Sequence, residues 1–365
     1  MISEQDVLNV LQSVSGPDGK TPLPQTGAIA GLSVKDDKVY LSISIQPQQA
    51  AAMESMRVEA EKAVRGISGV SNALVSLTAE KPPAAANAAA PAAAPNTSRS
   101  IGIPGVTNII AVASGKGGVG KSTTTVNLAL SLAALGMRIG ILDLDIFGPS
   151  LPRLLGIQEA PESEGRFIRP LEAHGVKAMS IGFMVGEEDA MIWRGPMVMA
   201  AVQQLLRDVA WGELDCLVID MPPGTGDAQL TLAQTVPLAG AVIVSTPQDL
   251  ALIDARRGVA MFAKVDIQIL GVVENMSYFV CPHCGGRSDI FAHGGARQEA
   301  EKMGVPFLGE IPLTMSIREH ADAGTPVVIS DPQGPYAAAY RAIAEQVKAA
   351  LEKGRARVAP KIVIG

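Results

Sequence analysis

Eight consecutive residues, Gly115-Lys-Gly-Gly-Val-Gly-Lys-Ser122, place glycines, two lysines and a hydroxyl at the spacing a phosphate group requires. The frame Gly115-x-x-x-x-Gly120-Lys121-Ser122 matches a phosphate-binding loop throughout. Its glycines let backbone N–H groups turn inward onto phosphate oxygens, and a helix opening at Lys121 adds its partial positive charge. Lys121 would neutralise the β- and γ-phosphates, and the Ser122 hydroxyl would take a place on Mg²⁺. A glycine-rich turn without a ligand is the bland alternative. The flanks argue against it: the apolar run Ile109–Ala113 reads as a buried strand, and Lys121 to Leu135 as a helix. The spacing predicts that ATP or a similar nucleotide binds here.

Carboxylates follow at the places such a loop needs them. Asp143 and Asp145 close the next apolar run, before Ile146-Phe-Gly-Pro-Ser150, and Asp220 closes a later one, before Met221-Pro-Pro-Gly-Thr-Gly-Asp227. Parallel strands deliver chemistry at their carboxyl ends, where acids hold Mg²⁺ or polarise an attacking water. An isolated aspartate there more often caps a turn; three in this order after a phosphate loop favour the functional reading. The Pro-Pro-Gly-Thr-Gly turn is placed to respond to a γ-phosphate.

Cys281-Pro-His-Cys284 supplies two thiolates, whereas a tetrahedral zinc or a four-iron cluster usually takes four ligands. The chain has only one further cysteine, Cys216, which opens an apolar run and reads as a small buried residue. A dimer would bring two Cys pairs together. An intersubunit cluster, an intersubunit zinc, a redox disulfide and two unligated thiols all remain open on these residues. His283 reads as a solvated loop histidine, His293 and His320 lack partners at ligand spacing, and Trp193 and Trp211 read as packing anchors.

Strands and helices must position these groups. Apolar runs predict strands at Ile109–Ala113, Arg138–Asp143, Val176–Ile181, Cys216–Asp220, Gly240–Ser245, Ile269–Asn275 and Phe307–Ile311. Helices are expected between most of them, at Met197–Val209, Leu250–Lys264 and Gly295–Met303. That alternation implies an α/β fold, a mostly parallel sheet covered by helices on both faces. Ahead of it lies an alanine- and proline-rich linker, residues 81–104. Residues 1–80 read helix, strand, strand, helix, strand, a small α+β domain in which Ser3 caps the first helix. The expected division is 1–80, 81–104, a main domain over 105–353, and a tail from 354 to 365 broken by Gly354 and Pro360.

Composition narrows the function. The 365 residues are 47% hydrophobic with a net charge of −6, which opposes a broad nucleic-acid-binding face. No apolar stretch reaches bilayer length, and Met1-Ile-Ser-Glu-Gln-Asp6 has no secretory character. A reducing cytoplasmic setting is expected, with no membrane and no nucleic acid among the partners.

Residues 115–123, Asp143-x-Asp145 and the Asp220-Met-Pro-Pro-Gly turn resemble the deviant Walker-A ATPases, the P-loop NTPases that include the nitrogenase iron protein and the MinD/ParA proteins. The chain is most similar to their Mrp/ApbC branch of iron–sulfur cluster carriers. The marks of that branch here are Phe147-Gly-Pro-Ser150, Trp193-Arg-Gly-Pro196, Trp211-Gly-Glu-Leu-Asp215, Gly224-Thr-Gly-Asp227, Glu274-Asn-Met-Ser277 and the Cys pair. The resemblance implies a homodimeric ATPase that holds a labile cluster, of 4Fe–4S type, through Cys281 and Cys284 of each subunit. It would pass that cluster from scaffold proteins to acceptor apoproteins. By the same resemblance Gly115, Lys116, Gly117, Gly118, Val119, Gly120, Lys121, Ser122 and Thr123 contact nucleotide, and Lys116 reaches the partner's nucleotide. Asp145 would orient the attacking water, Asn275 would meet the adenine edge, and Ser122, Asp143 and Asp220 would serve Mg²⁺. Residues 1–80 resemble an iron–sulfur assembly module but have no cysteine, so docking of partners is the expected role there. Two alternatives stay in view: a positioning ATPase of MinD/ParA type, and an ATPase with a purely structural intersubunit zinc.

Overall fold

The computed structural model describes residues 3–35, 38–45, 53–70, 72–79, 102–184 and 195–358. Residues 81–101 of the linker expected over 81–104, Trp193 and the last seven residues lie outside the described residues. Two compact units divide the chain, one of Met1–Asn96 with Ile192–Gln204, the other of Thr97–Met191 with Leu205–Gly365.

The first unit opens with α1 (Glu4–Leu11), then β1 (Ile29–Lys35), β2 (Lys38–Ile45), α2 (Glu54–Arg65) and β3 (Asn72–Ala79). Ser3 and Asp6 cap α1 reciprocally: Ser3 Oγ accepts from the Asp6 N–H, and the Asp6 carboxylate accepts from the Ser3 N–H. Such a cap contributes about 1 kcal/mol. β1 and β2 pair antiparallel, and β2 and β3 parallel, so α2 is the crossover. Val7, Leu11, Leu41, Ile43, Met56, Ala60, Val64 and Val75 fill the core beneath the sheet. The structure begins α2 at Glu54, and residues 46–52 ahead of it lie outside the described residues.

The second unit is the expected α/β layer structure. Its early elements are β4 (Ile109–Ala113), α3 (Lys121–Ala134), β5 (Ile139–Asp143), α4 (Leu151–Leu155), a short hairpin β6 (Ser163–Glu164) and β7 (Phe167–Ile168), β8 (Leu171–Ala173) and β9 (Val176–Ser180). In chain order α5 (Gly195–Arg207) follows, its residues up to Gln204 counted with the first unit, and then β10 (Cys216–Asp220), α6 (Asp227–Thr235), β11 (Gly240–Ser245), α7 (Asp249–Ala263), β12 (Ile269–Val280) and β13 (Arg287–Ser288). The chain finishes with α8 (Gly295–Met303), β14 (Phe307–Leu313), α9 (Met315–Asp322), α10 (Val327–Ser330) and α11 (Pro335–Val358).

Nine strands form one sheet in the order β13-β12-β11-β4-β10-β5-β9-β8, with β14 also on β12. The central pairs are parallel; only β13 and β8 run against their neighbours. Every residue of β4, β5, β10 and β11 is buried, as strands covered on both faces must be. Trp211 is buried and packs beside Gly140, the anchor role expected of it.

Two elements run longer than their sequence pattern. β12 continues past Asn275 to Val280, because β14 and then β13 supply partners for its backbone. α11 passes through Gly354 to Val358, so the glycine does not end the helix. Its buried Tyr340, Ile343, Ala344, Val347 and Leu351 hold it down upstream. No described helix is long and apolar enough to cross a membrane.

Candidate functional site

The carboxyl ends of β4, β5 and β10 lie side by side, because β10 pairs with both of the others. β4 leads into the phosphate loop, where Gly118 and Gly120 take left-handed backbone with φ of 79° and 78°. A side chain on Gly115 would run into the backbone of Asp254 on α7, and one on Gly120 into Asn275 Nδ2. Close backbone approach, as well as torsion, therefore demands glycine here. The Gly224 N–H donates to the Ser114 carbonyl at 2.9 Å, tying the Pro-Pro-Gly turn to the start of the loop.

Lys121 occupies the centre. Its side chain is 6% exposed, and Nζ lies 2.7 Å from Asp220 Oδ1, 3.8 Å from Asp145 Oδ2 and 3.2 Å from Ser122 Oγ. Thr125 Oγ1 donates to the same Asp220 oxygen at 2.8 Å. Hydroxyl and carboxylate oxygens are the donors Mg²⁺ takes. Ser122 and Asp220 both present such atoms to the Lys121 ammonium, and so fit the magnesium role.

Asp143 is used differently. It is wholly buried, and its oxygens accept from the Asp145, Ser150 and Leu151 N–H groups at 2.9, 3.1 and 3.3 Å and from Ser180 Oγ at 3.1 Å. Burial, then the neighbouring Asp220 charge, pushes its carboxyl up to about 7, against the pull of those N–H donors and Lys121. Asp143 thus secures the loop from Asp145 to Leu151. Asp145 on that loop is also raised, chiefly by burial, with Lys121 opposing. Phe147, two residues on, stands 70% exposed.

Asn275 sits against the phosphate loop: its Nδ2 donates to the Val119 carbonyl at 2.8 Å, which leaves Oδ1 available as an acceptor. The Lys116 carbonyl accepts from Ser114 Oγ, and its ammonium has no partner among the described residues. Thr123 follows Ser122 in the first turn of α3, and its carbonyl accepts from Asn127 Nδ2.

The thiol pair lies on a hairpin. β12 and β13 pair Val280 with Arg287, and between them the Cys281 N–H donates to Gly286 while the Gly285 N–H donates to the Cys281 carbonyl, each at 2.9 Å. Cys284 is exposed and Cys281 half-buried, while Cys216 is buried in β10. N–H groups of His283 and then Cys284, with the Cys284 side chain, hold the Cys281 thiol below its ordinary pKa. That favours the thiolate, the form that ligates metal.

Two features were missed in the sequence. Thr125 stands one helical turn after Lys121, a spacing that could have revealed it. Buried Glu274 breaks the apolar run of β12. It has His293 Nδ1 3.9 Å away, and Glu310 is 4.0 Å from His293 Nε2. His293, expected to lack partners, therefore has two carboxylates, brought from distant strands by the sheet.

A profile of the NUBPL iron-transfer P-loop NTPase family matches residues 105–348. The chain belongs to that family. A second profile, of an iron–sulfur cluster assembly protein, matches residues 4–76. Among relatives of this NTPase family, an iron–sulfur cluster carrier protein of Escherichia coli K12 is 55% identical over 252 residues, covering 68% of each chain. One of Synechocystis is 42% identical over 353 residues, covering 95% of this chain and 97% of its own. The solved nucleotide-binding protein of Archaeoglobus fulgidus, described in complex with ADP and with cobalt, superposes with a TM-score of 0.57 at 39% identity, over 64% of this chain and 92% of that one. The cell-division ATPase MinD of Pyrococcus furiosus, at 24% identity and TM-score 0.50, shares the fold over 66% of this chain and 98% of its own.

Proposed function

We propose that this NTPase is a homodimeric, ATP-hydrolysing carrier that holds a labile iron–sulfur cluster through Cys281 and Cys284 of each subunit and passes it to apoproteins. The observation that carries this reading is the hairpin. It carries one exposed and one half-buried cysteine while the remaining cysteine is buried, so one chain offers two ligands and a four-ligand cluster needs two chains. Its whole-length similarity to the Synechocystis carrier protein supports the cargo.

In the ATPase half, Lys121 would leave Asp220 for the β- and γ-phosphates, and Thr125 would keep Asp220 in place. Ser122 and Asp220 would hold Mg²⁺, which supplies charge neutralisation at the phosphates. Asp143 would act from behind by fixing the loop on which Asp145 orients water. Asn275 Oδ1 would accept from an adenine amino group, and Lys116, whose ammonium has no partner among the described residues, would reach the partner subunit's nucleotide. The division into residues 1–80, 81–104, 105–353 and 354–365 belongs to this reading, with the first part docking scaffold or acceptor proteins.

Anaerobic purification with iron, sulfide and zinc analysis tests it. Wild type should be brown, with iron and sulfide lost in Cys281→Ala or Cys284→Ala while nucleotide binding persists. A colourless protein holding zinc would make the Cys pair a structural staple and refute the carrier reading.

A further inference from the structure

β12 touches both chemistries. At Asn275 it is hydrogen-bonded to the phosphate loop, and it runs directly into Cys281. Between these points it is irregular: Met276 takes left-handed backbone with φ 56°, and the register against β14 slips between Asn275 and Phe279. A non-glycine residue in that region persists only where its surroundings over-determine it, and such bulges re-aim the residues beyond them.

A buried relay braces this bulge against the return strand of the hairpin. Glu274, 0% exposed, accepts from the Gly294 and Ala296 N–H groups at the start of α8, and from Ser277 Oγ at 2.5 Å. Ser277 Oγ, its one proton given to Glu274, lies 3.2 Å from His293 Nδ1. Arg287 Nη2 closes on the same imidazole, 2.9 Å from Nδ1 and 3.1 Å from Nε2. Arg287 also lies 4.0 Å from the centre of the Tyr278 ring and pairs across the ladder with Val280, the residue before Cys281. Glu274, His293 and Glu310 bring ligand atoms within 4.8 Å of one another, a spacing that could suit a cation. Arg287 on His293 and Arg297, 3.3 Å from Glu310, already supply the positive charge there.

We infer that Arg287 and His293 are positioning residues that hold the thiol hairpin to the Asn275 bulge, so that nucleotide binding at the phosphate loop is passed to Cys281 and Cys284. The covalent strand alone would let the bulge absorb a movement of Val119. With the relay in place, the bulge and the hairpin move together. The inference rests on the nucleotide reading above and does not require that a cluster be bound.

The test is the alkylation rate of Cys281 in cluster-free, full-length protein, with and without a non-hydrolysable ATP analogue and Mg²⁺. The analogue should change the wild-type rate by about fivefold, the low end of ordinary allosteric coupling. In His293→Ala and Arg287→Met the change should collapse while the analogue's Kd stays within about twofold, which simple misfolding would not produce. Arg287→Lys, which keeps a donor, should restore part of it. Ser277→Ala is the milder variant should either of the first two fail to fold. A nucleotide-induced change that survives in these variants overturns the inference, as does a wild type that binds the analogue with no change at Cys281. A wild type that binds no analogue overturns the nucleotide reading and the coupling together, whereas absence of iron alone leaves this measurement intact.

Discussion

Lys121 Nζ and Asp220 Oδ1 lie 2.7 Å apart with both side chains almost wholly buried, which joins the phosphate loop to the end of β10. Removing one partner of a buried pair strands the other charge, at a cost of about 3–5 kcal/mol. Lys121→Ala should therefore lower the melting temperature of the nucleotide-free protein and weaken ATP binding about 10–100-fold, the scale of charge-assisted hydrogen bonds. Lys121→Met combined with Asp220→Asn should recover stability but not binding. Calorimetry and a fluorescent-nucleotide titration read the two effects separately.

Thr125 holds the same carboxylate from the other side. Thr125→Val should cost about 1.5–3 kcal/mol of stability, the range for a hydrogen bond to a charged group, and slow hydrolysis more than it weakens binding. Thr125→Ser should retain both. A kcat unchanged in the valine variant would remove Thr125 from the site.

Gly115 and Gly117 differ in what surrounds them. A Cβ at Gly115 meets the backbone of Asp254, whereas one at Gly117 meets nothing within 4 Å. Gly115→Ala should thus destabilise by about 1–3 kcal/mol, the usual cost of overpacking, while Gly117→Ala leaves the melting temperature unchanged. Thermal unfolding of the two variants side by side checks this.

Backbone N–H groups hold the Cys281 thiol below its ordinary pKa. A lowered pKa enlarges the thiolate fraction at neutral pH, so alkylation of Cys281 in the metal-free protein should already be fast there. Its rate should rise through a midpoint on the acid side of a free cysteine's. Mass spectrometry of the alkylated peptide over a pH series measures it, and a midpoint at or above the free-cysteine value would contradict the hairpin geometry.

Much of this protein is legible without coordinates, and the reason is locality. The phosphate loop works through backbone groups of eight contiguous residues, so its glycines, Lys121 and Ser122 announce themselves in order. The central strands are continuous apolar runs, and β4, β10 and β11 match their sequence limits because both faces are covered. Cys281 and Cys284 share one turn, so spacing alone paired them. Tertiary structure decided which carboxylate does what. Asp143 and Asp220 look alike in sequence, yet register along β5, β9 and β10 turns the first toward the N–H groups of its own loop and sets the second against Lys121. It also decided the length of β12 and the partners of His293, since Glu274 and Glu310 reach that imidazole from two paired strands. A composition pattern can mark a strand, but it holds no record of which neighbour the strand will pair with or in what register.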